Sequence, residues 1–261
     1  MAAMLVLGSR RMPARDLIGR AEPIIVAHRG ASGYAPENTL AAFRLAVEMG
    51  APIVECDVHL SSDNVPIIIH DHALDRTTSG SGLVRDWTHS EIARLDAGSW
   101  FDVRFADERV LTLDDLLDWC RGRVGLSIEL KNGPIYYDGI ERTIADRVRA
   151  HDMAAHVSVI SFDHVALARL KSVAPEVQTG ALYAARLADP VAVARSAGAN
   201  ALLPHVAFAT PDLVQSAHGA GIAVSVWTVN DAAELAMARA AGVDAVATDF
   251  PDRVARELAR Q

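Results

Sequence analysis

The sequence predicts an α/β protein of the (β/α)8, or TIM, barrel class, with a small insertion after a hairpin on the second strand. Three observations point there. Eight short apolar runs alternate with amphipathic helical patterns through most of the chain. The runs are continuous rather than alternating, as expected for parallel strands covered on both faces. The length of 261 residues matches a single barrel, which commonly takes roughly 250.

The expected strands are Ile24–His28, Ile53–Val58, Gly125–Leu130, Val157–Ser161, Thr179–Leu182, Ala201–Leu203, Ala223–Val229 and Ala245–Thr248. Between them fall the helical patterns Thr39–Met49, Leu113–Cys120, Ile140–Ala150, Val165–Val173, Val191–Ala197, Asp212–Ala217, Ala232–Ala241 and Asp252–Ala259. Thr112 with Asp115 has the spacing of a capping box. Gly198, Gly219 and Gly242 stand where helix-ending glycines belong. Val65–Ile69 is also strand-like, but only Ser61–Asn64 separates it from the second strand. A parallel crossover needs about a dozen residues, so these two segments are expected to form an antiparallel hairpin. Pairing Leu60 with Val65 would set Glu55 opposite His70. Residues 71–110 lack barrel periodicity and are expected to form a cap beside the carboxyl ends of the strands, where barrels place their chemistry. Residues 1–21 are expected to be a loosely ordered N-terminal segment, and residues 22–261 the barrel.

Composition narrows the function. A hydrophobic content of 51% supports a large core, and a formal net charge of -8 argues against nucleic acid as the main partner. It leaves room for a small anionic substrate in a locally charged cleft. Cys56 and Cys120 fit no metal or redox spacing and suit a reducing compartment. No run approaches the roughly 18 apolar residues of a spanning helix, and Met4–Leu7 is too short for a signal core. A cytoplasmic protein without stable membrane insertion is expected.

The chemistry-bearing residues gather at strand ends. His28 and Arg29 close the first strand, and Gly30 permits a tight exit. His70 closes the hairpin. Two histidines that titrate near neutrality can act as base and acid across a scissile bond. Glu55 and Asp57, two apart on a strand, share one face. Glu129 and Lys131 repeat that spacing on the next barrel strand. Three carboxylates suit one hard divalent cation, Mg²⁺ or Ca²⁺, and Lys131 offers a point charge to a phosphate oxygen. The plainer reading of the carboxylates is salt bridging to Arg29 or Lys131. Phe162 and Trp227 could wall a pocket. His205 is an even choice between site and packing, and Asp249 suits a loop-fixing carboxylate. His59, His72, His89, His151, His156, His164 and His218 are expected to be structural.

These residues lie in motifs that closely resemble the glycerophosphodiester phosphodiesterase family: H-R-G-A-S-G-Y-A-P-E-N-T-L-A-A-F (28–43), E-C-D-V-H-L (55–60), V-P-I-I-I-H-D (65–71), L-D-R-T-T (74–78), I-E-L-K (128–131), S-F (161–162), V-W-T-V-N (226–230) and T-D-F-P-D (248–252). The resemblance covers roughly residues 22–255. It implies a TIM barrel with a small insertion that hydrolyses glycerophosphodiesters to sn-glycerol 3-phosphate and an alcohol. It implies His28 and His70 as the acid/base pair, Arg29 and Lys131 on the phosphate, and Glu55, Asp57 and Glu129 on the metal. The alternatives are a lysophospholipase D-like or cyclising phosphodiesterase acting on lysophospholipids, using Trp87, Trp100, Phe101 and Phe105 of the insertion as acyl contacts. A silent phosphate-ester-binding barrel and a Schiff-base aldolase built on Lys131 fit less of the constellation.

Overall fold

The computed structural model describes residues 17–260. Most of the expected N-terminal segment, residues 1–16, lies outside the described residues. Within them Leu17 already packs beside Ile24, Val26 and Ala245 at the base of the barrel.

The elements run β1 (Ile24–Ala27), α1 (Leu40–Glu48), β2 (Ile53–Leu60), β3 (Pro66–Ile68), α2 (His89–Ile92), α3 (Leu113–Cys120), β4 (Gly125–Leu130), α4 (Ile140–Ala150) and β5 (Val157–Ser161). They continue α5 (His164–Val173), β6 (Gln178–Tyr183), α6 (Pro190–Ala197), β7 (Ala201–Pro204), α7 (Pro211–Gly219), β8 (Ala223–Val226), α8 (Ala232–Ala241), β9 (Ala245–Thr248) and α9 (Pro251–Leu258). Every barrel pairing is parallel. β1 pairs with both β2 and β9, which closes eight strands into a TIM barrel, and β3 is the additional strand.

Burial alternates as a closed parallel sheet requires. Val54, Cys56 and Val58 of β2 face outward into one continuous core with Phe43, Leu113, Leu116 and Leu117 of the helices. Their neighbours Glu55 and Asp57 therefore point inward, and both are buried. The inward set at the base is small and apolar: Ile24, Val26, Ala245 and Ala247. Higher in the barrel, Ile160, Leu182 and Leu203 pack beneath Trp227.

Local signals act as their chemistry suggests. Thr112 and Asp115 form the reciprocal capping box that starts α3. Gly198 and Gly242 adopt left-handed conformations that end α6 and α8. Gly219 does not do this for α7. It is the last residue of the helix, and the left-handed turn falls two residues later at Gly221, with φ +73°.

The hairpin forms, but one residue out of the expected register. Leu60 pairs with Pro66, not Val65. The Ser61 hydroxyl accepts from the Val65 amide, and the Ser61 amide donates to the Val65 carbonyl, so Val65 belongs to the turn. The expected cross-strand pair of Glu55 and His70 is consequently absent. β3 stops at Ile68, Ile69 donates to the Asp57 carbonyl, and His70 leaves the ladder. On the same edge of β2, β1 pairs only as far as Val54, and β3 runs from Leu60 back only to Val58. The carboxylate-bearing stretch lies between those two pairings.

Residues 71–110 contain α2 and two short 3₁₀ turns. Leu74, Val84, Ile92, Ala97 and Val110 pack with Ile67 and Ile69 in a small core of their own.

Candidate active site

The carboxyl ends of β1, β2, β4 and β9 bring the sequence-predicted residues together. Parallel pairing sets Asp57 level with Glu129 and Glu55 level with Ser127. Ligand atoms of Glu55, Asp57 and Glu129 lie within 4.8 Å of one another, and all three residues are buried. Asp57 is contacted by Arg29 Nε at 3.2 Å and by Lys131 Nζ at 3.4 Å. Lys131 Nζ also donates to Glu129 Oε1 at 2.8 Å. Glu55 receives a different kind of bond, from the backbone amide of Arg29 at 2.9 Å. Arg29 has φ +55°, an uncommon conformation for a side chain of this size, and this turn is where its amide meets the carboxylate.

Salt bridging therefore accounts for only part of this negative charge. Among the described residues, Glu55 Oε1 and Asp57 Oδ1 are buried without a hydrogen-bond partner. The Lys131 approach to Asp57 Oδ1 is an ion-pair distance without hydrogen-bond geometry. Burial pushes the Glu55 carboxyl well above its ordinary range, and Asp57 and Glu129 push the same way. Burial and Asp57 raise Glu129 to about 7, against the pull of Lys131. For Asp57 burial also acts upward, but Arg29, Lys131 and His70 outweigh it and hold the carboxyl below the usual range. Clustered, partly orphaned carboxylate oxygens fit a hard divalent cation, which would satisfy those atoms and favour the ionised form of all three groups.

The two histidines are each tethered through Nδ1. His28 Nδ1 lies 2.7 Å from Asp249 Oδ1 at the end of β9. Ser32 Oγ lies 2.9 Å from the same oxygen, and Asn230 Nδ2 donates to Asp249 Oδ2 at 2.6 Å. His70 Nδ1 lies 2.6 Å from Asp71 Oδ1. A carboxylate on Nδ1 fixes the ring and directs Nε2 toward chemistry. Burial lowers the His70 pKa; Lys131 and Arg29 add to that, while Asp57 and Asp71 oppose it.

Phe162 and Trp227 meet edge to face at 5.4 Å, and His205 meets Trp227 edge to face at 5.1 Å. The Trp227 indole N–H donates to the Leu203 carbonyl, which fixes its plane. Phe162 remains 49% exposed at the rim. The three side chains make one aromatic wall along the ends of β5, β7 and β8. The aromatic groups of the insertion lie elsewhere. Phe101 and Phe105 line an open groove of about 700 Å³ with Tyr34, Leu45 and Met49, and neither the carboxylate triad nor any histidine contributes to it.

Several residues overlooked in the sequence support this arrangement. Asn38 Nδ2 donates to Asp57 Oδ2 at 2.8 Å. Glu37 Oε1 accepts from Arg29 Nη1 at 2.9 Å. Asp71 meets His70, and Arg76 holds Asp71. His59, expected to be structural, lies buried between Tyr137 and the His70 carbonyl, to which Nε2 donates at 3.0 Å. Asp71 could have been suspected from its adjacency to His70. The others meet only through folding. Three of the remaining histidines have partners of their own: His151 with Asp114 and Asp118, His164 with the Leu182 carbonyl and His218 with Asp244.

Known proteins share this architecture. The glycerophosphoryl diester phosphodiesterase family model matches residues 28–253. A glycerophosphodiester phosphodiesterase from Caldanaerobacter subterraneus subsp. tengcongensis is 37% identical over 230 residues, covering 88% of this chain and 95% of that protein. An Oleispira antarctica phosphodiesterase, solved in complex with the product sn-glycerol-3-phosphate, superposes with a TM-score of 0.83 at 32% identity, over 91% of this chain and 97% of that one. A glycerophosphodiester phosphodiesterase structure from Agrobacterium tumefaciens gives 0.79 at 37% identity, over 90% and 99%.

Proposed function

The chain belongs to the glycerophosphoryl diester phosphodiesterase family and is an enzyme of that activity, and we propose that it hydrolyses glycerophosphodiesters to sn-glycerol 3-phosphate and an alcohol through two histidines and one divalent cation. The observation that carries this reading is the juxtaposition of two Nδ1-tethered histidines with a buried triad of carboxylates and two cations.

Glu55, Asp57 and Glu129 would hold the cation, Mg²⁺ or Ca²⁺. When bound, it supplies positive charge to the phosphate oxygens as negative charge builds on them. Arg29 and Lys131 contribute fixed charge to the same oxygens. One histidine Nε2 takes the proton from the attacking hydroxyl, and the other protonates the departing alkoxide; each is worth about 10²–10⁴ in rate. Asp249 and Asp71 keep the imidazoles oriented. Phe162 and Trp227 border the substrate as an apolar wall. Residues 22–261 act in this reading as one catalytic barrel with residues 71–110 as its cap. Its setting is the cytoplasm, in keeping with two buried free thiols, Cys56 and Cys120. Among the described residues no helix is long and apolar enough to cross a membrane.

The test is an assay of sn-glycerol 3-phosphate release from glycerophosphocholine, glycerophosphoethanolamine and glycerophosphoglycerol, with a lysophospholipid alongside. Turnover of the water-soluble diesters supports the reading. Turnover of the lysophospholipid alone, or accumulation of a cyclic phosphate without glycerol 3-phosphate, would overturn it.

A further inference from the structure

The two histidine tethers are built differently. Asp249 sits at the end of a barrel strand and is fixed by Ser32 and Asn230. Asp71 has no such scaffold. It follows His70 in a loop, it is partly exposed, and its side chain bonds to His70 and Arg76 alone among the described residues. Arg76, from the insertion, grips it with Nε at 2.7 Å and Nη2 at 3.2 Å. The other edge of the same guanidinium grips Glu37, with Nη1 to Oε2 and Nη2 to Oε1, both at 2.8 Å. Glu37 Oε1 in turn accepts from Arg29 Nη1. A continuous line of charged hydrogen bonds thus runs Arg29–Glu37–Arg76–Asp71–His70.

We propose that Arg76 is a positioning residue for the reaction: it holds Asp71 where Asp71 fixes the His70 ring, and through Glu37 it sets the Arg29 guanidinium. The planar fork is essential to this role. Four donors on two edges engage two carboxylates at once, and a lysine ammonium, a point charge, engages both only with poor geometry. The side chain is 43% exposed, so its net contribution to folding is small. Its worth lies in orientation. The inference rests on the reading that His70 carries a proton in the reaction.

The experiment is a double-mutant cycle on the full chain with glycerophosphocholine as substrate. Arg76→Gly is expected to lower kcat about 10- to 100-fold with a smaller change in KM, in the range typical of groups that orient another residue. Arg76→Lys is expected to recover little of that loss. Added methylguanidinium is expected to restore much of the Arg76→Gly rate, and methylammonium at equal ionic strength is not. In a His70→Ala background, Arg76→Gly is expected to cost clearly less than it does in the parent enzyme, because only the Arg29 arm of its role is left. Should Arg76→Gly not fold, Asp71→Asn, of nearly equal size, takes its place in the cycle. Near-normal kcat for Arg76→Gly, or an undiminished loss in the His70→Ala background, would overturn the proposal. Near-normal kcat for His70→Ala alone would instead overturn the two-histidine reading beneath it.

Discussion

His28 Nδ1 and Asp249 Oδ1 lie 2.7 Å apart although 221 residues separate them in sequence. Barrel closure makes that contact. β9 pairs with β1 from Ile24 with Ala245 to Ala27 with Thr248, so the residues just beyond the paired ends emerge side by side. The last strand of the barrel thus orients a side chain on the first. We expect Asp249→Asn to lower kcat by roughly 10²-fold while leaving the fold intact, since an amide of the same shape no longer favours the Nδ1–H tautomer. Steady-state kinetics with a parallel melting curve checks this.

The carboxylate triad is expected to link metal binding to protons. In the metal-free site Glu129 is raised to about 7 by burial and Asp57, and Glu55 stands well above its ordinary value through burial, Asp57 and Glu129. A cation binds the ionised forms. Titration with Mg²⁺ at neutral pH is therefore expected to release protons, and affinity is expected to fall as pH drops below about 7. Calorimetry in buffers of different ionisation enthalpy measures the release directly. A heat independent of buffer would contradict it.

The pH profile of kcat/KM is expected to carry the mark of His70. Burial lowers its pKa from 6.5, Lys131 and Arg29 lower it further, and Asp57 and Asp71 raise it. Burial wins, so the limb belonging to His70 is expected below the ordinary histidine value. Asp71→Asn removes an upward influence and is expected to move that limb to still lower pH. An unmoved limb would show that the Asp71 contact is not made in solution.

Gly30 and Gly50 make a matched pair for stability. Both have strongly positive φ, +83° and +85°. A Cβ at Gly30 would stand 2.6 Å from the Ala42 carbonyl carbon, whereas one at Gly50 meets nothing within 4 Å. Gly50→Ala is expected to cost about 1–2 kcal/mol, the left-handed penalty alone. Gly30→Ala is expected to cost a further 1–3 kcal/mol, roughly, from forced movement of helix α1. Urea unfolding distinguishes the two. Gly30→Ala is also expected to lose activity, because it adjoins the turn that aims the Arg29 amide at Glu55.

Much of the barrel is legible in the sequence because buried parallel strands are continuous apolar runs, and because a period of two fixes which side chains share a face. Glu55 and Asp57 point inward together for that reason, and Glu129 lies level with Asp57 because parallel neighbours run in register. The hairpin register is harder. A turn of four residues and one of five are both plausible from composition. The five-residue form is selected by the Ser61 side chain, which binds Val65 and draws it out of the strand. Supports assembled from separate loops are harder still. Nothing in the spacing of Glu37 and Arg76 announces their bidentate contact, because their meeting depends on how the insertion folds over the β1–α1 loop. The helix-ending glycine of α7 is a smaller instance: Gly219 and Gly221 are equally suited by composition, and the length of the helix decides between them.

We propose that the carboxylate triad and the two histidines act together through a bound cation. The most direct measurement is sn-glycerol 3-phosphate release from glycerophosphocholine by the intact enzyme before chelation, after exhaustive chelation, and after return of Mg²⁺ or Ca²⁺, with His28→Ala and His70→Ala beside it. The expected result is loss of activity on chelation, recovery with one of the two ions, and about 10²–10⁴-fold lower kcat in each histidine variant. Full activity in the stripped enzyme, or near-normal kcat in either variant, would contradict the account.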